Sequence, residues 1–319
     1  MPTAVPYADL RWTPRTPLDL PSTMGVLTRG RTHPTARITD DGAVWITTRV
    51  DAEPLTARFT RTGPGPVLHR DVVVQAWGAR ADEFLAEAPL WTGEDDDWSG
   101  FLASDSWELL PERMRRARRD HAGIRLISTG RLVDALVSAV LEQRVTAGEA
   151  VGAQRWLVRV HGDPAPGPAP AGMAVAPTPQ AIRRVPSWSW HRAGVDPARA
   201  KTVQHVVTRA AGIERWNQAN LDHRLRRALA SIKGVGPWTI AETLQVSHGD
   251  PDSVSVYDYH LARHVTEFFD GRPSDDARMM QILEPWRGNR QRVVRLMYST
   301  GWRPQAKGPK LTPEDHRDK

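Results

Sequence analysis

Two glycines and a proline, in Ser231-Ile-Lys-Gly-Val-Gly-Pro-Trp238, interrupt a helical pattern that resumes at once on the far side. Apolar residues at 225, 228, 229 and 232 mark the helix before the break, with Asn220 or Asp222 as its capping residue. Glycine tolerates the positive φ that a reversing chain requires, so Gly234 and Gly236 are expected to adopt it, and Pro237 suits the first turn of the next helix. A turn this short gathers consecutive backbone N–H groups, including those around Val235, at one point. A phosphate oxygen can accept them there with help from the second helix's dipole. The same residues also make a plain helix–helix connection with no ligand.

Charge narrows the choice of ligand. The net charge over 319 residues is +6, but residues 1–110 hold ten Arg and sixteen acidic residues, net −6, and the remainder 33 Lys and Arg against 21 Asp and Glu, net +12. A basic C-terminal two-thirds suits a polyanion, because each neutralised phosphate releases condensed counterions. Nucleic acid fits best, and a soluble basic surface without a partner is the bland alternative. Cysteine is absent, which excludes disulfides, thiolate nucleophiles, Cys-ligated zinc and iron–sulfur clusters. No apolar run approaches the roughly 18–20 residues of a membrane span, and Met1–Leu10 lacks the layout of a secretory signal. A cytoplasmic protein is expected.

The first hundred or so residues read as a small α+β region. Val44–Val50 and Leu55–Thr60 alternate β-branched and aromatic residues about a turn at Asp51–Pro54, Asp71–Trp77 is a further strand, and Ala79–Ala88 is helical through Ala81, Phe84, Leu85 and Ala88. From about Pro111 the spacing is helical. Arg131–Val145, apolar at 132, 133, 136, 137, 140 and 141, is the expected central helix. The proline-rich stretch His161–Pro179 cannot continue a helix and is expected to be an internal excursion, because helical spacing returns at Pro197–Ala211 and Leu221–Ile232. Asn289–Gly301 reads as a last helix with Val293, Val294, Leu296 and Met297 inward and its arginines outward. The acidic run Glu94–Asp97 is most simply a solvated turn. Gly234-Val-Gly236 lacks the third glycine and preceding strand of a dinucleotide site, so no nucleotide cofactor is expected.

Twenty positions after Trp238 comes Asp258, in Val-Tyr-Asp-Tyr-His-Leu261. A carboxylate before a helical run is often an N-cap, and capping is compatible with chemistry. Four segments taken together carry a resemblance: Leu229–Thr239, Asp252–Leu261, Ala135-Leu-Val-Ser-Ala-Val-Leu-Glu-Gln-Arg-Val-Thr146, and Leu283-Glu-Pro-Trp-Arg287 ahead of Gly301-Trp302. In order and spacing, over roughly residues 125–304, the chain resembles the helix-hairpin-helix–GPD superfamily of DNA glycosylases, in particular the 3-methyladenine DNA glycosylase II branch.

The resemblance implies an antiparallel-sheet α+β accessory domain over 1–112, an all-α helix-hairpin-helix glycosylase domain over 113–304 and an unstructured tail over 305–319. It implies a nucleoid-associated monomer acting on double-stranded DNA with damaged bases, away from any membrane. Asp258 matches the family's catalytic aspartate, which stabilises positive charge on the sugar and orients or deprotonates water. Gly234, Val235, Gly236 and Thr239 match the phosphate-holding hairpin. Trp238 stands where lyase-competent relatives place a lysine. An indole forms no Schiff base, Lys233 lies on the other side of the glycines, and Lys201 is the only other lysine before the tail, so monofunctional hydrolysis follows.

That mechanism suits alkylated purines of the 3-methyladenine and 7-methylguanine type, whose positive charge makes the base a good leaving group and a partner for electron-rich rings. Trp238 is the expected platform, with Trp188 and Trp190 as pocket walls or simply core. Gln143-Arg144 falls where the family inserts a residue into the stack. Arg144 departs from the usual apolar or amide wedge and either fills the gap or binds phosphate. Tyr257 stands where a small or acidic residue is more common, and Met297 where alkyl-base enzymes can present an aromatic. His260, His264 and Glu267 share a helical face but lack the His-Glu-x-x-His order, so no metal is expected there. A monovalent cation at the hairpin carbonyls is implied only by the family. A damaged-DNA-binding protein of the same fold, without turnover, is the alternative.

Overall fold

The computed structural model describes residues 7–28, 30 and 32–304; the tail expected at 305–319 lies outside them. Five strands, β1 (Tyr7–Trp12), β2 (Ala36–Ile38), β3 (Val44–Val50), β4 (Glu53–Thr62) and β5 (Asp71–Trp77), form an antiparallel sheet in the order β1-β5-β4-β3-β2. Alternation does the sorting: Val72, Val74 and Ala76 of β5 are all buried on one face. The β3–β4 turn is tighter than the sequence suggests. Only Asp51 and Ala52 are unpaired, at φ 48° and 69°, the left-handed pair that matches the twist of a two-residue hairpin.

Helix Ala81–Trp91 follows the sheet and lays Phe84, Leu85, Ala88 and Trp91 against Leu18, Ile46, Phe59 and Val74. On the other side, Trp45 and Trp77 stack with centroids 5.7 Å apart, and Ala165, Ala169 and Met173 of the proline-rich stretch cover them. Thr47 Oγ1 and Arg49 Nε donate to the carbonyls of Ala174 and Ala176, each at 2.7 Å. A Cβ on Gly167 would come within 2.4 Å of the Trp77 ring, so the backbone itself packs on the indole. The stretch is thus an excursion from the helical region back across the sheet.

The remaining helices form two further cores. Helix Leu132–Leu141 runs through the first, burying Leu132, Val133, Leu136, Val137, Val140 and Leu141 against helices Ala147–His161, Pro197–Thr208 and Pro237–Ser247. The second joins distant parts of the chain: Trp98, Phe101, Leu110 and Met114 pack with Val254, Leu261, Phe268, Trp286, Val293 and Met297.

Two expectations are corrected here. The acidic run Glu94–Asp97 is not simply solvated, for Glu94 pairs with buried Arg125 at 2.8 Å and Asp96 accepts from Trp98 Nε1, the Leu126 N–H and Arg292. Arg292 correspondingly points inward from helix Arg290–Ser299, over the Trp98 ring. A buried charge is tolerated only when paired, and buried Arg125 and Arg292 each find a partner in the acidic run.

Candidate active site

The glycine turn sits between helix His223–Ala230, capped by Asp222, and helix Pro237–Ser247. Ile232 and Val235 are buried beneath it, which pins the turn from inside. Gly234 has φ +91°, and a Cβ there would fall 2.2 Å from Thr202 Oγ1. Gly236 differs from the expectation of positive φ. It is extended, at φ −102° and ψ −177°, because the residue before a proline is pushed out of the helical region, and a Cβ there would meet nothing within 4 Å. One glycine is required by the fold, while the other leaves space open at a helix N-terminus.

The turn's carbonyls are tied to its neighbours. Gln143 Nε2 donates to the Gly234 carbonyl at 3.0 Å and to Thr239 Oγ1 at 2.8 Å, and His205 Nδ1 lies 3.1 Å from the Lys233 carbonyl, to which it can only donate. Arg144, next to Gln143, is exposed at φ 55°, an uncommon conformation for a side chain of its size.

Asp258 is reached by a stapled segment. Buried Asp250 accepts from Arg226 of the first hairpin helix and from Ser253 Oγ, Gln245 Nε2 of the second donates to the Ser253 carbonyl at 2.9 Å, and Asp252 pairs with Arg290 of the last helix. Tyr257, at φ 67°, donates its N–H to Asp276 at 2.9 Å and leaves its ring 74% exposed. The chain then presents Asp258. Its Oδ1 accepts the N–H groups of His260 and Leu261, at 2.8 and 2.9 Å, capping helix Leu261–Asp270, and its Oδ2 accepts Trp238 Nε1 at 3.2 Å. A carboxylate locked by a cap and aimed by the indole of the hairpin's second helix lies beside the glycine turn. Cavities of about 170 and 850 Å³ lie between sheet and helices, but neither includes Asp258 or Trp238.

Among solved structures, a 3-methyladenine DNA glycosylase from Archaeoglobus fulgidus matches with a TM-score of 0.69 at 16% identity, over 91% of this chain and 97% of that one. An 8-oxoguanine glycosylase/lyase from Clostridium acetobutylicum, in its apo form, matches with a TM-score of 0.68 at 12% identity, over 93% and 98%. The structure of MBOgg1 with a low-affinity DNA ligand matches with a TM-score of 0.67 at 14% identity, over 92% and 95%. The chain has the helix-hairpin-helix DNA glycosylase fold. No protein-family model and no curated protein matches its sequence.

Within the glycosylase fold, the other expected pocket residues scatter. Trp190 is 2% exposed and packs edge-on against Trp156 in the core around helix Leu132–Leu141. Trp188 is exposed on the same short helix, and neither residue hydrogen-bonds or stacks on Trp238 or Asp258 among the described residues. Met297 is fully buried. The next residue, Tyr298, is turned about 100° around the helix and reaches the surface instead: its hydroxyl lies 2.9 Å from His264 Nδ1, and burial, then the Asp258 charge, push its phenol up to about 12. His260 stacks on His264 at 5.5 Å, and Trp302 meets His264 edge-on. The helical face read first as a weak metal pattern is an aromatic stack beside Asp258. Sequence reasoning missed Tyr298, Thr202 and His205, and it singled out His264 only through its four-residue spacing from His260.

Burial holds the His248 and His264 imidazoles below the usual histidine range, with the His260 charge adding to the effect at His264. Below the ordinary histidine value of about 6.5 the unfolded chain binds protons that the folded one resists, so stability is full above that pH and declines as the pH falls through it. The melting temperature is expected to drop between pH 7.5 and 5.5 in calorimetry, and His248→Gln should flatten that drop. An unchanged profile in the variant would contradict the assignment.

Proposed function

We propose that the protein is a monofunctional DNA glycosylase that hydrolyses the N-glycosidic bond of alkylated purines flipped out of double-stranded DNA. The observation that carries this reading is the Trp238–Asp258 hydrogen bond beside the open turn at Gly236. The Val235 N–H is donated to the Ile232 carbonyl at 3.0 Å and so, unlike the expectation, takes no part, and the other hairpin N–H groups hold a backbone phosphate, which fixes register without reading sequence. The nucleotide's anomeric carbon then faces Asp258. As the C–N bond breaks, its electron pair leaves with the base, and a base that entered cationic departs neutral. The carboxylate stabilises the positive charge left on the sugar and takes the proton of the water that bonds to the anomeric carbon. Trp238 offers a π face to the cationic base, and Tyr298, kept protonated far above neutral pH, offers a hydroxyl beside it.

Absence of a lyase step is supported by the residues near the site. Trp238 supplies no amine, and Lys233 is exposed on the far side of the glycine turn. The neighbours in fold include both 3-methyladenine and 8-oxoguanine enzymes, so lesion choice rests on the site's chemistry. The test is to incubate the protein with duplexes carrying methylated purines or 8-oxoguanine and count alkali-labile sites. Sites only in the methylated duplex, and only after alkali, are expected. Strand breaks without alkali, or trapping by borohydride, would refute the monofunctional reading. Binding of the methylated duplex without base release would favour the damaged-DNA-binding alternative.

A further inference from the structure

We infer that Trp188 and Arg192 form a second DNA contact, outside the base site, that grips the duplex where it is kinked. The inference rests on the proposed DNA function and extends it to a surface no pocket argument reaches. Helix Ser187–Arg192 is short, and its two tryptophans have opposite fates: Trp190 is buried, while Trp188 is 62% exposed with the Arg192 guanidinium 5.2 Å from its ring centroid. An exposed indole paired with an arginine is costly to leave in water and well suited to a sugar or base face with a phosphate alongside.

Its position connects it to the hairpin. Buried Arg199 donates through one nitrogen to the Leu141 carbonyl and through the other to the Gly194 carbonyl, each at 2.9 Å. A single guanidinium therefore holds the turn after helix Leu132–Leu141, which carries Gln143 and Arg144, beside the turn after helix Ser187–Arg192. Gln143 in turn binds the Gly234 carbonyl. The helix that carries the platform, the turn that carries Arg144 and the phosphate-holding turn are thus tied together through Arg199 and Gln143. Charge agrees: between 181 and 205 the only acidic residue is Asp196, which is taken by Arg199, while exposed Arg184, Arg192 and Lys201 make no ion pair among the described residues. A kinked duplex unstacks base steps and exposes sugar and base faces, which an aromatic side chain can cover.

The test compares wild type, Trp188→Ala, Arg192→Gln and Gly236→Leu by fluorescence anisotropy on duplexes carrying a tetrahydrofuran abasic-site mimic, at several salt concentrations and two flank lengths. Trp188→Ala is expected to weaken binding roughly 10-fold at every salt concentration, and Arg192→Gln to lower the salt slope by about one. Shortening one flank should weaken wild type and leave Trp188→Ala unchanged. If wild type binds and Gly236→Leu does not, yet Trp188→Ala binds as wild type, the platform is refuted and the hairpin reading stands. If wild type itself fails to bind, both fall.

Discussion

Asp258→Asn is expected to lower base release by about 10²–10⁴-fold while leaving DNA binding close to wild type. The asparagine oxygen can still accept the N–H groups of His260 and Leu261, so the helix cap survives. Its amide nitrogen would face the Trp238 N–H, which costs one hydrogen bond, about 0.5–1.5 kcal/mol. What disappears is the negative charge, which neither the cap nor the fold requires. Single-turnover release of methylated purine, followed as alkali-labile sites, with anisotropy for binding, measures both quantities. A variant that releases base at the wild-type rate would reduce Asp258 to a capping residue.

The two glycines of the hairpin are expected to fail in different ways. Gly234→Val places a branched side chain at φ +91° and against Thr202, combining a left-handed penalty of about 1–2 kcal/mol with overpacking of about 1–3 kcal/mol. Thermal stability should fall by several degrees, and Thr202→Ala should restore only part of it, since the backbone penalty and the Thr202 Cβ at 3.0 Å remain. Gly236→Leu meets nothing within 4 Å and is extended already, so the melting temperature should stay near wild type. Its side chain would occupy the space assigned to a phosphate, and binding should weaken alike on all DNA sequences. A Gly236 variant that melts early, or one that binds normally, would contradict this division.

Local pattern made much of the fold legible in advance. Period-two alternation placed β3 and a β-rich run placed β5, each with its bounds, and six apolar positions identified the central helix, which ends at Leu141 rather than at the expected Val145. The hairpin was readable because glycine, proline and a cap act within a few residues of themselves. What stayed hidden is long-range. Nothing near Glu94–Asp97 announces that Arg125 and Arg292 will be buried against it, and charge alone reads as solvated. The site divided the same way: Asp258 and Trp238 meet as their motifs implied, whereas Met297 and Tyr298 exchange inside and outside through a single step of helical rotation.

Because Trp98, Phe101, Leu110 and Met114 share a core with residues from Val254 to Met297, that lobe cannot close until Met297 has been made. During translation these early aromatics must wait, exposed, for well over a hundred residues to emerge. A ribosome-bound intermediate therefore carries an exposed apolar segment, a natural target for a holdase chaperone. Circular permutation that brings the two halves of this lobe together in sequence should shorten that wait and speed refolding.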